Sequence, residues 1–209
     1  MKTRAIASLA IGATLLLAPP LGLAGGGPLG IDHVVPYDAD GIWARHVQVF
    51  VEDAAIVTTL AGALWLGDQP GLGHTYWQAT DSMLISGALV AIMKPTFSRA
   101  RPSQGGDPGL WFQGHGHNSF PSGEVAVITS VVTPFILQYG HENPSVYALE
   151  LLPLYDAAAR VKSQAHWQTD VLASWLIGTG TAIYAHDRTT SLTVQVLPHG
   201  VTIGLQKRF

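Results

Sequence analysis

Arg160, His166 and Asp170 fall in one short window of a segment that reads as helical. His166 and Asp170 are four apart, so on a helix they share a face. The carboxylate can then accept a hydrogen bond from one imidazole nitrogen and leave the other free to act as nucleophile or base. Arg160 adds a permanent cation whose planar fork suits phosphate oxygens. Taken alone, the triplet reads as a surface histidine beside an ordinary helical ion pair. Two earlier stretches carry matching parts.

The first runs from Lys94 to Pro102, Lys-Pro-Thr-Phe-Ser-Arg-Ala-Arg-Pro. It closes a helix and sets Lys94 and Arg101 at the mouth of a long loop, the one a point charge and the other a fork for oxyanions. Arg99 is a third cation, and nothing in its spacing marks it out. The second is Ser119-Phe-Pro-Ser-Gly-Glu124, just ahead of an apolar run. A helix N-terminus offers free backbone N–H groups and the positive end of the dipole. Ser122 can add a hydroxyl, and Gly123 lets backbone approach a ligand closely. Each stretch by itself has a bland reading, a solvated helix end and an ordinary N-cap with Glu124 complementing the dipole. Together the three stretches favour a tetrahedral oxyanion, and only the histidine is a good nucleophile. That combination suits phosphoryl transfer through a phosphohistidine, with no metal and no cofactor.

The elements that must position these groups are helical. Asp40 is a plausible N-cap for a helix from Ile42, with Trp43, Val47, Phe50 and Val51 at core spacing, continuing from Ala54 to Leu66. Residues 67–73 read as a turn, and a helix follows from Thr75 to Met93, ended by Lys94-Pro95. Residues 95–121 form a long loop, then come a helix over 122–139, a restart at Pro144, a kink or division at Pro153, and a last helix over 166–185. The apolar stretches fall short of the ~20 residues that span a bilayer, so they read as buried core helices, with membrane-spanning versions the alternative that the low charge content leaves open. In the tail, alternating apolar positions over 192–196 and 201–205 flank Pro198-His199-Gly200 and predict a β-hairpin. The expected fold is an all-α helical bundle with a short C-terminal β-hairpin. Its parts are a signal peptide over 1–24, an irregular lead-in over 25–39, the helical domain over 40–188 and the hairpin over 189–209.

Composition bounds the setting. Of 209 residues, 47% are apolar and only 12% charged, about half the ~25% charge of an average globular chain. Such a lean surface suggests close packing or a membrane nearby. A formal charge of −3 without a Lys/Arg run speaks against nucleic acid. The absence of cysteine excludes disulfides and thiolate metal sites. Lys2 and Arg4 precede an apolar run to Ala18, and Gly22 and Ala24 set small residues before a cut after Ala24, the layout of a secretory signal peptide. The mature chain is expected in a bacterial periplasm, with peripheral membrane association open.

The three stretches in order resemble the type 2 phosphatidic acid phosphatase superfamily, which includes lipid phosphate phosphatases, bacterial nonspecific acid phosphatases and vanadium haloperoxidases. Lys94, Arg101 and Pro102 match its K-x6-R-P motif. Pro121, Ser122 and Gly123 match P-S-G-H, and Arg160, His166 and Asp170 match S-R-x5-H-x3-D. The resemblance extends over roughly residues 40–190. It implies a helical bundle with the site at one end, phosphate held by Lys94, Arg101, Ser122, Gly123 and Arg160, attack by His166, and Asp170 as its orienting partner. Two positions depart from the pattern: Ala159 stands for the serine, and Glu124 for the histidine that protonates the leaving oxygen. Glu124 at the aligned position is the expected general acid, its pKa raised by burial and phosphate, which predicts an acidic optimum. His115 or His117 is the alternative donor; as a metal site that pair lacks a partner ligand. The expected activity is hydrolysis of a phosphomonoester or pyrophosphate. A lipid phosphate is favoured by the lean charge and by Trp111-Phe112, which fit a lipid interface or core contacts alike. A nonspecific acid phosphatase on soluble esters, a vanadate-dependent haloperoxidase and a decayed phosphate-binding or assembly protein are the alternatives.

Overall fold

The computed structural model describes residues 26–188 and the backbone of 192–197 and 200–205; the expected signal peptide lies outside the described residues. Five helices make the body: α1 (Arg45–Leu66), α2 (Leu72–Phe97), α3 (Gly123–Tyr139), α4 (Leu151–Lys162) and α5 (Gln168–His186). In the tail, β1 (Leu192–Leu197) pairs antiparallel with β2 (Gly200–Leu205), Val194 opposite Ile203.

The most apolar helix, α3, runs through the middle and touches the other four. Its Val125, Ala126 and Ile128 are fully buried, and Val131 and Val132 nearly so. Small residues set how closely α5 approaches it. At Gly178 an added Cβ would fall 2.6 Å from both the Ala126 carbonyl oxygen and the Thr129 Cβ. No side chain fits there without pushing the helices apart.

The structure departs from the sequence reading in four places that matter for the site. First, α2 begins inside the expected turn and runs on to Phe97, with Pro95 in its last turn. A proline there costs one backbone bond near an end that is already fraying, and the Ser98 N–H still reaches the Lys94 carbonyl at 2.9 Å. Lys94 therefore sits on regular helix and points from a fixed base. Second, the inward stripe of α1 is Gln48, Thr59 and Ala63, while Phe50 is 71% exposed and Val57, Leu64 and Trp65 are also exposed. The expectation of a short, buried core helix fails for α1, which runs unbroken over 22 residues, is long and apolar enough to cross a membrane, and leaves many of its apolar side chains exposed. Third, Pro153 lies in the first turn of α4, where its missing N–H costs little; the division falls before it, at a 3-10 segment over Pro144–Glu150.

Fourth, His166 is on no helix. α4 stops at Lys162, Gln164 turns with φ of 52°, and the N–H groups of Ala165 and His166 both fold back onto the Arg160 carbonyl. α5 starts only after Trp167, which is extended. The helical face shared by His166 and Asp170 does not exist, and a turn brings the two together.

Candidate active site

The site lies where α1, α3 and α5 begin and α2 and α4 end. A cavity of about 250 Å³ is lined by Lys94 of α2, Arg101, Gly123 and Glu124 of α3, Arg160 of α4, His166, and Glu52 of α1, with Gly87, Val90 and Val127 as its apolar wall. Ser122 and Asp170 stand behind this lining. Ser122 is fully buried at the N-cap of α3, yet its hydroxyl caps nothing and has no partner among the described residues, as is also true of Arg160 Nε. Both are buried donors without a partner beside the N-terminus of α3, a position suited to an anion.

His166 is 3% exposed. Its Nδ1 lies 2.5 Å from the Ser119 carbonyl oxygen. A carbonyl can only accept, so Nδ1 carries the proton and Nε2 keeps its lone pair. Asp170 Oδ2 is 3.8 Å from Nδ1, beyond hydrogen-bond range, so the carboxylate acts on the ring through charge. Burial pushes the His166 pKa down to about 4 against the upward pull of Asp170. The ring is therefore neutral at neutral pH.

Asp170 is itself tightly held. Its Oδ1 accepts from Arg99 at 2.6 Å; its Oδ2 accepts from the Ser119 hydroxyl at 2.5 Å and from the Trp167 N–H at 2.9 Å. Burial alone would raise its pKa, but His166, Arg99 and Ser119 bring it below the ordinary carboxylate value. Ser119 thus links imidazole and carboxylate, its carbonyl on one and its hydroxyl on the other.

Arg99, to which the sequence reading assigned nothing, organises this layer. It is fully buried. One nitrogen serves Asp170 and Thr169, and the other serves Asp32 at 2.6 Å and the Pro108 carbonyl. Its guanidinium lies 4.3 Å from the Trp111 ring centre and 5.4 Å from that of Trp167, a favourable stacking on both. Trp111 is therefore a packing partner of Arg99, while Phe112 is 60% exposed. Asp32, in the lead-in, also accepts from the N–H and hydroxyl of Thr169. The irregular lead-in thus straps the start of α5. An arginine within the first motif and an aspartate in an otherwise featureless segment leave no local signature of such a pair.

The three cations of the cavity are less constrained. Lys94 donates to the Asn118 carbonyl at 2.8 Å, and Arg101 to the Asn118 side chain at 3.0 Å. Burial, then Arg101, lower the Lys94 pKa to about 8, which leaves it charged at neutral pH. Arg160 is held by Gln48 of α1 at 2.9 Å.

Glu124 corrects an expectation. Burial would raise its pKa, but a hydrogen bond from Arg45 and the charges of Arg160 and Arg45 outweigh that and hold it below the ordinary value. Arg45 bonds one of its oxygens, and Arg160 lies 3.5 Å from the other. Glu124 is a clamped carboxylate, not a raised one. Two other carboxyls behave as Glu124 was expected to. Burial, then the charge of Glu124, push Glu52 and Asp156 each up to about 7. Arg45, Gln48 and Glu52 form one polar stripe, at i, i+3 and i+7 of α1, inside a run otherwise marked by its apolar residues. His115 and His117 do not line the cavity.

One end of the helical bundle thus gathers three cations, a helix N-terminus and a buried histidine backed by a carboxylate. The chain belongs to the PAP2 superfamily, whose family model matches residues 75–191. It is 31% identical over 98 residues to lipid A 1-phosphatase of Porphyromonas gingivalis, an alignment that covers 46% of this chain and 20% of that protein. Among solved structures, the crystal structure of Aquifex aeolicus LpxE is similar with a TM-score of 0.48 and 19% identity, covering 68% of this chain and 86% of that one. The polar stripe of α1 and Asp32 precede the part that the family model matches.

Proposed function

We propose that this chain is a metal-independent phosphatase that hydrolyses a lipid phosphate monoester through a phosphohistidine. The observation that carries the reading is the convergence of Lys94, Arg101, Gly123, Arg160 and a neutral His166 on one cavity. The three cations and the N-terminus of α3 bind the phosphoryl oxygens and offset the charge that spreads over them as the bond to the leaving oxygen breaks. His166 Nε2 attacks phosphorus. The ring becomes cationic as it does so, and the nearby Asp170 charge stabilises that form, while Ser119 keeps the tautomer that aims Nε2 outward. Water then hydrolyses the phosphohistidine. Glu124 stays ionised and holds Arg160 and Arg45 in place.

Support for a lipid comes from three sides. The relative in Porphyromonas gingivalis is a lipid A 1-phosphatase, which makes a glycolipid 1-phosphate one candidate. The most apolar 18-residue window of α1 has a mean hydropathy of 1.6, and the helix leaves apolar side chains exposed along its length, a surface suited to lipid contact. An apolar cleft of about 420 Å³, lined by Val51, Ala55, Tyr76, Val131 and Phe135 among others, opens one helical turn beyond Glu52 and Val127 of the phosphate cavity. The N-terminal signature supports placement in the periplasm, with the lipid met at the membrane surface.

The test is hydrolysis of phosphatidic acid in mixed micelles and of p-nitrophenyl phosphate, with excess chelator, beside His166→Ala. The expected result is turnover that survives the chelator, prefers the lipid and is lost in His166→Ala by ~10⁴-fold or more. Turnover by His166→Ala at the parent rate would overturn the phosphohistidine.

A further inference from the structure

If Glu124 is clamped, the proton for the leaving oxygen must come from elsewhere. We infer that Glu52, on the polar stripe of α1, is the general acid of this site. The inference rests on the phosphatase reading above. Glu52 lines the same cavity as Lys94, Arg101, Arg160 and His166, and its carboxyl has no hydrogen bond or ion pair among the described residues. Glu124, by contrast, is shared between Arg45 and Arg160, and a proton on it would cost both contacts.

The groups around Glu52 favour its protonated form. Glu124 faces it from α3, Asp156 and Arg160 from α4, and Arg45 and Asp53 from its own helix. Lys94 and Arg101 line the same cavity. Asp156 is fully buried, and neither of its oxygens has a hydrogen-bond partner among the described residues. The two arginines nearest these three carboxyls are already engaged with Glu124. Burial and the Glu124 charge keep a proton on Glu52 up to about pH 7, and an incoming phosphate adds negative charge that raises that limit. Since His166 is neutral above about 4, the donor and the nucleophile are both in the required form between those two values.

The Nε2 lone pair forms the P–N bond, the P–O bond to the leaving group breaks, and the departing oxygen takes its proton from the Glu52 carboxyl. Glu52, now a carboxylate, accepts a proton from the water that attacks phosphorus. The P–N bond returns its electron pair to Nε2, inorganic phosphate leaves, and Glu52 is again an acid.

The experiment uses the full chain in detergent and compares Glu52→Gln and Glu124→Gln with the parent. The substrates are phosphatidic acid, phenyl phosphate and p-nitrophenyl phosphate, the last having a leaving group that needs little protonation. Glu52→Gln is expected to lose ~10²-fold in kcat on phosphatidic acid and phenyl phosphate, several-fold less on p-nitrophenyl phosphate, and the basic limb of its kcat/KM profile. Glu124→Gln should lower all substrates together, by loosening Arg160, and keep that limb. Equal losses on all three substrates in Glu52→Gln with the basic limb unmoved, or leaving-group selectivity appearing in Glu124→Gln instead, would overturn the assignment. An inactive parent would overturn the phosphatase reading itself, and the donor role with it.

Discussion

Removing Arg99 should damage the protein far more than removing any cation of the cavity. Arg99 has no exposed surface, and neither Asp32 nor Asp170 has an exposed side chain; both are ion-paired to it at 2.6 Å. In Arg99→Met the aliphatic volume is largely kept, but two buried carboxylates lose their counter-ion. Breaking one buried pair this way costs about 3–5 kcal/mol. Asp170 retains Ser119 and the Trp167 N–H, and Asp32 retains Thr169, so the loss is expected at about 4 kcal/mol and not twice that. Against a total stability of about 5–15 kcal/mol, the variant should be folded at low temperature and close to its limit at 37 °C. The assay is urea unfolding followed by tryptophan fluorescence, since Trp111 and Trp167 flank the guanidinium. Adding Asp32→Asn to Arg99→Met should recover about 1–2 kcal/mol, because it removes one of the two stranded charges, whereas Asp32→Asn alone should destabilise. A loss under about 1 kcal/mol in Arg99→Met, or no recovery in the double variant, would refute the account of Arg99 as the counter-ion of both.

Two further outcomes follow from packing and burial. Asp156 has a folded pKa of about 7 against an ordinary 3.8. The native state therefore keeps a proton that the unfolded chain releases, and stability is lost as pH rises from about 4 to about 7. His166 works in the opposite sense, its lowered pKa adding stability as pH rises, but that contribution is common to parent and variant and cancels. The stability of Asp156→Asn relative to the parent should thus improve by about 2–4 kcal/mol between pH 4 and pH 8; a difference that stays flat with pH would count against a buried, unpaired Asp156. At the α3–α5 contact, Gly178→Val should cost about 3 kcal/mol or more in the same unfolding assay, since overpacking here meets backbone atoms that cannot move aside. A loss below about 1 kcal/mol would mean the helices are free to separate.

The motif residues and the helical architecture were legible in the chain because both rest on short-range signals. Lys94 and Arg101, Ser122 and Gly123, and Arg160, His166 and Asp170 are spaced along segments whose apolar periodicity and breakers announce helices and their ends. The structure brings these motif residues together at one end of the bundle. What the chain could not show is which charges meet. Arg99 pairs with residues 67 and 71 positions away, and Glu124 with Arg45 at a distance of 79. Such pairings set ionisation: the same burial that was expected to raise Glu124 does raise Glu52 and Asp156 to about 7, and is outweighed at Glu124 by the two guanidiniums that reach it. The four-residue spacing of His166 and Asp170 misled for a related reason. It implied a shared helical face, yet the carboxylate is occupied by the first turn of α5, Arg99 and Ser119, so the imidazole proton goes to a backbone carbonyl instead. Residue types and spacing determined what chemistry was on offer. Tertiary packing decided which carboxyl holds a proton and which is spent on a cation, because both depend on neighbours that only the fold brings within reach.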